Sequence, residues 1–199
     1  MKRLLALLAA VLCSSAASAI TIPSSCESAL RRALDADAAF RMERRLPDST
    51  RTLVSTGIVS CAANRGIVWD VRHPFASSVT MTTNAMVFVD EDEGRRVKPL
   101  KELPHYEDLR KQTDSFLAGD PKAFDGVFSV TTRFTDEGGW ILTLVPSSNA
   151  MKRLLTEVEL HGDRTLDKAV IKSGDGGSAT IVFTELGRRT RVLWKDDAP

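Results

Sequence analysis

Phe40, Met42, Arg44 and Leu46 alternate with Arg41, Glu43 and Arg45, the two-residue period of a strand with one face buried. Pro47-Asp48-Ser49 then turns the chain. The same reading predicts short strands over Thr52 to Cys61, Gly66 to His73, Ser78 to Thr83, Met86 to Asp90 and Arg95 to Lys98. Asn64-Arg65-Gly66, Pro74, Asn84 and Glu93-Gly94 separate them as turns. Further on, Val127 to Phe134 and Trp140 to Val145 flank the hairpin signal Asp136-Glu137-Gly138-Gly139. Leu154 to Leu160, Thr165 to Lys172 and Ala179 to Leu186 continue the pattern through Gly162-Asp163 and Asp175-Gly176-Gly177. The total is about eleven strands in an antiparallel meander.

Two segments carry the helical period instead. Ser24 or Ser25 can cap a helix, Glu27 completes a capping-box pattern with Ser24, and Ala29, Leu30, Ala33 and Leu34 form its apolar stripe. Pro104 opens a second helix whose Tyr106, Leu109, Thr113, Phe116 and Leu117 recur at three and four residues, and Gly119 stops it. Asp120 to Phe124 suits one more turn of helix, and Gly187 to Pro199 is either a last strand or a loose end. The expected class is α+β, one domain, with two or three helices on one sheet. Two modest helices are little cover for eleven strands, so the sheet either curls over them or leaves an apolar hollow of the kind that takes a ligand. A closed core is the competing reading. Alternation does not say which face of each strand points inward.

The start of the chain has a different character. Lys2 and Arg3, the apolar run Leu4 to Leu12 and the small residues Ala17-Ser18-Ala19 make an export signal over residues 1–19, cleaved after Ala19. Leu12 is too large to precede a lipidated Cys13, so the exported protein is expected to be soluble rather than anchored. Cys26 and Cys61 then remain, an even count in an oxidising compartment, and are expected to be joined; two buried free thiols are the alternative.

The 27 Lys and Arg balance 26 Asp and Glu, which leaves no electrostatic footprint for a nucleic-acid partner. His73, His105 and His161 lie far apart without metal-ligand spacing, and Asp90, Asp92 and Gly94 lack the later bidentate Glu of a calcium loop. No metal site is expected. No serine sits in a nucleophile motif, no cysteine has a His partner, and Gly138-Gly139 and Gly174 to Gly177 join strands to strands rather than cradling a phosphate. The expectation is a protein that is not an enzyme and carries no cofactor. Arg31-Arg32, Arg44-Arg45 and Arg188-Arg189 read as solvated basic pairs.

Gly57-Ile58-Val59, then Gly66-Ile67-Val68-Trp69 and His73-Pro74-Phe75, followed late in the chain by Leu142-Thr143-Leu144-Val145-Pro146 and the strands from Val158 to Phe183, resemble segments of the LolA-like family of periplasmic lipoprotein carriers. Their order, spread over residues 20–199, carries the resemblance. It implies an unclosed, strongly curved antiparallel sheet with helices as a lid, shielding acyl chains of a lipoprotein or lipid during transfer toward the outer membrane. It also implies a periplasmic monomer with an inner-membrane donor and an outer-membrane acceptor. The cavity residues expected on that basis are Phe40, Met42, Ile58, Trp69, Val79, Met81, Phe128 and Trp140, with Tyr106, Leu109 and Phe116 on the lid helix. In one respect the sequence departs from the family pattern: Ala63-Asn64 stands where an Arg-Pro pair is usual. A lipid-sensing or protein-interaction module of the same fold is the competing function.

Overall fold

A computed structural model describes residues 22–62, 65–82, 84–99, 101 and 124–187. Its elements in chain order are α1 (Ser24–Ala33), β1 (Asp37–Arg45), β2 (Thr52–Ala62), β3 (Gly66–His73), β4 (Ser77–Met81), β5 (Ala85–Asp90) and β6 (Gly94–Pro99). Then follow β7 (Phe128–Phe134), β8 (Trp140–Pro146), α2 (Asn149–Lys152), β9 (Leu155–Gly162), β10 (Leu166–Ser173) and β11 (Ser178–Gly187).

All eleven strands form one antiparallel sheet in the order β6-β5-β4-β3-β2-β1-β11-β10-β9-β8-β7. The chain leaves the centre along β1 to β6 and returns from the far edge along β7 to β11. The two meanders meet where β1 pairs with β11, Met42 opposite Ile181 and Phe40 opposite Phe183. The two edges, β6 and β7, do not pair with each other, so the sheet is unclosed.

Among the described residues the helical cover is the ten-residue α1 and the single turn α2. The expected helix over 104–119, with Tyr106, Leu109 and Phe116, lies outside the described residues, as does Ala63-Asn64. The N-cap of α1 lies one residue before the first of the two expected caps. Pro23 occupies the N-cap with no side-chain hydrogen bond, which places Ser24 and Ser25 inside the helix. Glu27 accordingly reaches forward to Arg31 at 2.7 Å rather than back to a cap. The inward side of α1 buries Cys26 and Ala29 completely, and the helix packs on β10. Arg32 Nη1 donates to the Arg164 carbonyl at 2.8 Å, tying the end of α1 to the β9–β10 turn. No helix among the described residues is long and apolar enough to cross a membrane.

The expected Cys26–Cys61 bridge is corrected by the structure, where both are free thiols. Burial raises the Cys26 thiol. Burial, with the Asp37 carboxylate adding to it, pushes Cys61 up to about 12. The thiolate that disulfide formation needs is therefore scarce at neutral pH. An even count of cysteines says nothing of this local chemistry.

Candidate functional site

Register decides which side chains meet. Met42 lies opposite Ser55 and Ile181, Trp69 opposite Val59 and Val79, and Met81 opposite Ile67 and Met86. Side chains at paired positions share a face of the sheet, so Phe40, Met42, Trp69, Val79 and Met81 all point to the inner one. Ile58 pairs with Ala39 and Asp70 and falls on the opposite face, correcting its expected place in the cavity. A one-residue offset reverses every side chain of a strand.

On the inner face of the first meander a cavity of about 380 Å³ remains. Its wall takes Met42 from β1, Ile67, Trp69 and Val71 from β3, Val79 and Met81 from β4, and Met86 from β5, closed by Ile171 and Ile181 of β10 and β11. Counting from β5 to β10 the strands are seven neighbours, which would span roughly 29 Å in a flat sheet at about 4.8 Å per step. They border one small cavity only because the sheet bends around it. Arg44, Thr52, Leu53, Val54, Ser55, Pro74 and Phe75 make up the rest of the lining, at the end where β1 turns into β2 and β3 into β4. There Phe75 is 70% exposed, Leu53 50% and Val54 42%.

Phe40 lies beside the cavity rather than in its lining, 3% exposed, with its ring centroid 4.4 Å from that of Trp69. Gly57 makes this possible. A Cβ there would lie 2.9 Å from Phe40 Cε1 and 1.9 Å from the Asp70 carbonyl oxygen, so only glycine lets the ring settle over β2.

Phe128 and Trp140 are placed elsewhere. They belong to the second meander, 7% and 2% exposed, in the core with Leu142 and Leu144. Trp140 lies opposite Gly162, where a Cβ would meet its Cζ2 at 2.6 Å, and its Nε1 donates to the Asp163 carbonyl at 2.7 Å. Of the residues expected in the cavity, the structure brings together Met42, Trp69, Val79 and Met81. It adds Ile67, Val71, Met86, Ile171 and Ile181, which sequence reasoning missed. Ile67 and Met86 sit in apolar runs without alternation, and Ile171 and Ile181 reach the cavity only through the pairing of β1 with β11.

The chemistry of the lining is sparse. Among the described residues Arg44 is its only charged residue, and Thr52 and Ser55 its only uncharged polar ones. No cluster of His, Cys, Asp or Glu among the described residues has the makings of a metal site. His161 Nε2 lies 3.1 Å from Glu159 on β9, away from the cavity. The described lining is thus almost entirely apolar.

The family model for the outer membrane lipoprotein carrier protein LolA-like group matches residues 31–175. No curated protein matches the chain. Among solved structures, a LolA superfamily protein from Nitrosomonas europaea is 11% identical, with a TM-score of 0.48 over 89% of this chain and 99% of that one. A putative outer membrane lipoprotein-sorting protein domain from Vibrio parahaemolyticus is 13% identical, TM-score 0.42, over 87% and 94%. A DUF1329 family protein from Desulfovibrio piger is 11% identical, TM-score 0.41, over 88% and 96%. On the strength of the family model, which runs from α1 to the β10–β11 turn, this chain belongs to the outer membrane lipoprotein carrier protein LolA-like family.

Proposed function

We propose that the protein is a periplasmic carrier that holds an acyl chain of a lipoprotein or lipid in the cavity of its first meander while the cargo passes toward the outer membrane. Residues 1–19 serve as its export signal, cleaved after Ala19. The observation that carries the reading is the unfilled space of about 380 Å³ walled by Met42, Trp69, Val71, Val79, Met81 and Met86, with a single charge in its lining among the described residues. Such a wall matches the physics of the task. Each methylene removed from water contributes about 0.8 kcal/mol, so an acyl tail crosses an aqueous compartment only when something encloses it.

The experiment is to purify the protein from its native periplasm and extract it for lipid, then titrate the lipid-free protein with acyl ligands while following tryptophan emission. Copurified lipid is expected, together with quenching that disappears in Trp69→Phe and persists in Trp140→Phe. Neither copurified lipid nor quenching would remove the proposal. Acceleration of lipid transfer between donor and acceptor vesicles separates a carrier from a sensing module, which binds without transferring.

A further inference from the structure

We infer that the cargo is a single-tailed amphiphile with an anionic head group, a carboxylate or a phosphate, held at the cavity mouth by Arg44 with Ser55 beside it. The inference rests on the carrier reading and narrows its substrate class.

Arg44 continues the inward series Phe40, Met42, Arg44 on β1, and lies opposite Leu53 of β2 and Ala179 of β11. It is half-buried in the wall. Among the described residues its guanidinium has neither an ion pair nor a hydrogen bond. Some cations of the sheet have partners, Arg41 with Glu43, Arg72 with Asp70 at 3.2 Å, Arg96 with Asp90 at 2.5 Å and Lys172 with Glu157 at 2.6 Å, and others, Arg45, Lys98 and Arg133, are exposed to water, whereas Arg44 is half-buried. Acids of the surrounding strands and turns are directed elsewhere: at the β10–β11 turn Asp175 accepts from the Gly177 amide at 3.0 Å. Glu43 and Asp70 fall on the outer face by register, and Asp90 is taken by Arg96.

Ser55, 9% exposed, is the one buried polar residue in the lining among the described residues, and a diagonal neighbour of Arg44 on the inner face. Its hydroxyl also lacks a hydrogen-bond partner among the described residues. Arg cannot shed its proton, and a cation partly removed from water without a partner is unfavourable. An incoming anion relieves that. A guanidinium fork with a hydroxyl beside it suits the oxygens of a carboxylate or phosphate, while the tail follows the apolar wall toward Trp69 and Met81. At about 380 Å³ the cavity is at the low end of the ~300–1,000 Å³ usual for small-molecule sites, which favours one tail over several.

The test compares three ligands of equal tail length, dodecanoate, dodecyl phosphate and dodecanol, on the lipid-free mature protein by calorimetry at low salt. Both anions are expected to bind about tenfold more tightly than the alcohol. Arg44→Gln brings the three affinities together, while Arg45→Gln, on the outer face, leaves the preference in place. Which anion binds better identifies the source, a free fatty acid or a phosphate-headed lipid. If Arg44→Gln does not fold, Ser55→Ala, with an expected threefold loss for the anions alone, and weakening of anion but not alcohol binding by salt in the unaltered protein test the same point. Equal affinity for anion and alcohol, or a preference that survives Arg44→Gln, overturns the head-group inference and leaves the carrier reading standing. Failure of all three ligands to bind removes both.

Discussion

The two meanders of the sheet use the same local device to opposite ends. In each, an aromatic ring lies over a glycine of the neighbouring strand: Phe40 over Gly57 in the first, Trp140 over Gly162 in the second. In the second, Trp140 is anchored through Nε1 to the Asp163 carbonyl, and Leu142 and Leu144 are buried to 0% and 4% in a core that also takes Cys26 and Ala29 from α1. In the first, Phe40 and Trp69 stack beside unfilled space. Strand pairing and alternation are common to both. What differs is how far the bend of the sheet and the side chains facing one another across it fill the inner volume. One meander therefore has a filled inner face, and the other leaves a cavity on its own.

Truncation at matching positions is the strongest way to break the comparison. Trp140→Ala removes a nearly fully buried ring and leaves the Asp163 carbonyl without its donor, so it should cost about 3–5 kcal/mol in urea unfolding. Trp69→Ala, on the cavity wall, should cost clearly less while weakening acyl-ligand binding. Equal losses of stability in the two variants would mean that both meanders are packed cores.

Cys61 probes the first meander where it meets the shared core. It lies on the inner face of β2 opposite Ile67 and packs against the common core. Its folded-state thiol is pushed up to about 12 by burial and by Asp37, whereas in the unfolded chain it ionises near 9. A raised acid favours the neutral form in the fold. Its stabilising contribution is therefore complete below about pH 9 and is lost as pH rises toward 12, with a limiting slope of about 1.4 kcal/mol per pH unit. The stability difference between the native chain and Cys61→Ala, followed in urea from pH 8 to 11, should decline over that window. A difference that does not change with pH would mean that Cys61 is not shielded from water.

Filling the cavity tests the first meander directly. Val79→Phe puts added volume where Trp69 and Met86 leave room, so binding of dodecanoate should fall at least tenfold while stability changes by less than about 1 kcal/mol. A loss of about 1–3 kcal/mol, the usual penalty for overpacking a closed core, would argue that no usable space exists there.

Much of this fold was legible because half-buried strands write their period into the sequence. The expected strand at Thr52 to Cys61 is β2 to within one residue, and that at Trp140 to Val145 is β8 likewise. The cavity was legible only in part. Alternation identifies a face but not its direction, which is how Ile58 came to be expected inside although it pairs with Ala39 on the outer face. Phe128 and Trp140 carry the same apolar signature as Trp69, and nothing local distinguishes a ring that plugs a core from one that borders a hollow. Ile171 and Ile181 needed the pairing of β1 with β11, a contact between distant parts of the chain. Arg44 was within reach: with Met42 inward, the next residue but one must follow it, yet the Arg44-Arg45 pair reads as a charged surface. The turn α2, capped by the Ser148 hydroxyl accepting from the Met151 amide at 3.2 Å, is too short to show a period.

The smallest expected effect belongs to the cavity rim. Phe75 lies two residues beyond the end of β3, lines the mouth and is 70% exposed, so it contributes little to the core. Phe75→Ser should change unfolding stability by no more than about 0.5 kcal/mol, as exposed positions do. If the mouth is where a tail enters, the same change should slow association with dodecanoate by removing apolar surface that the tail meets first, with dissociation less affected because the wall at Trp69, Val79 and Met81 is intact. Stopped-flow tryptophan quenching separates the two rates. An unchanged association rate would place the entrance elsewhere along the cavity, and a large loss of stability would mean that Phe75 packs against the fold instead of standing at its door.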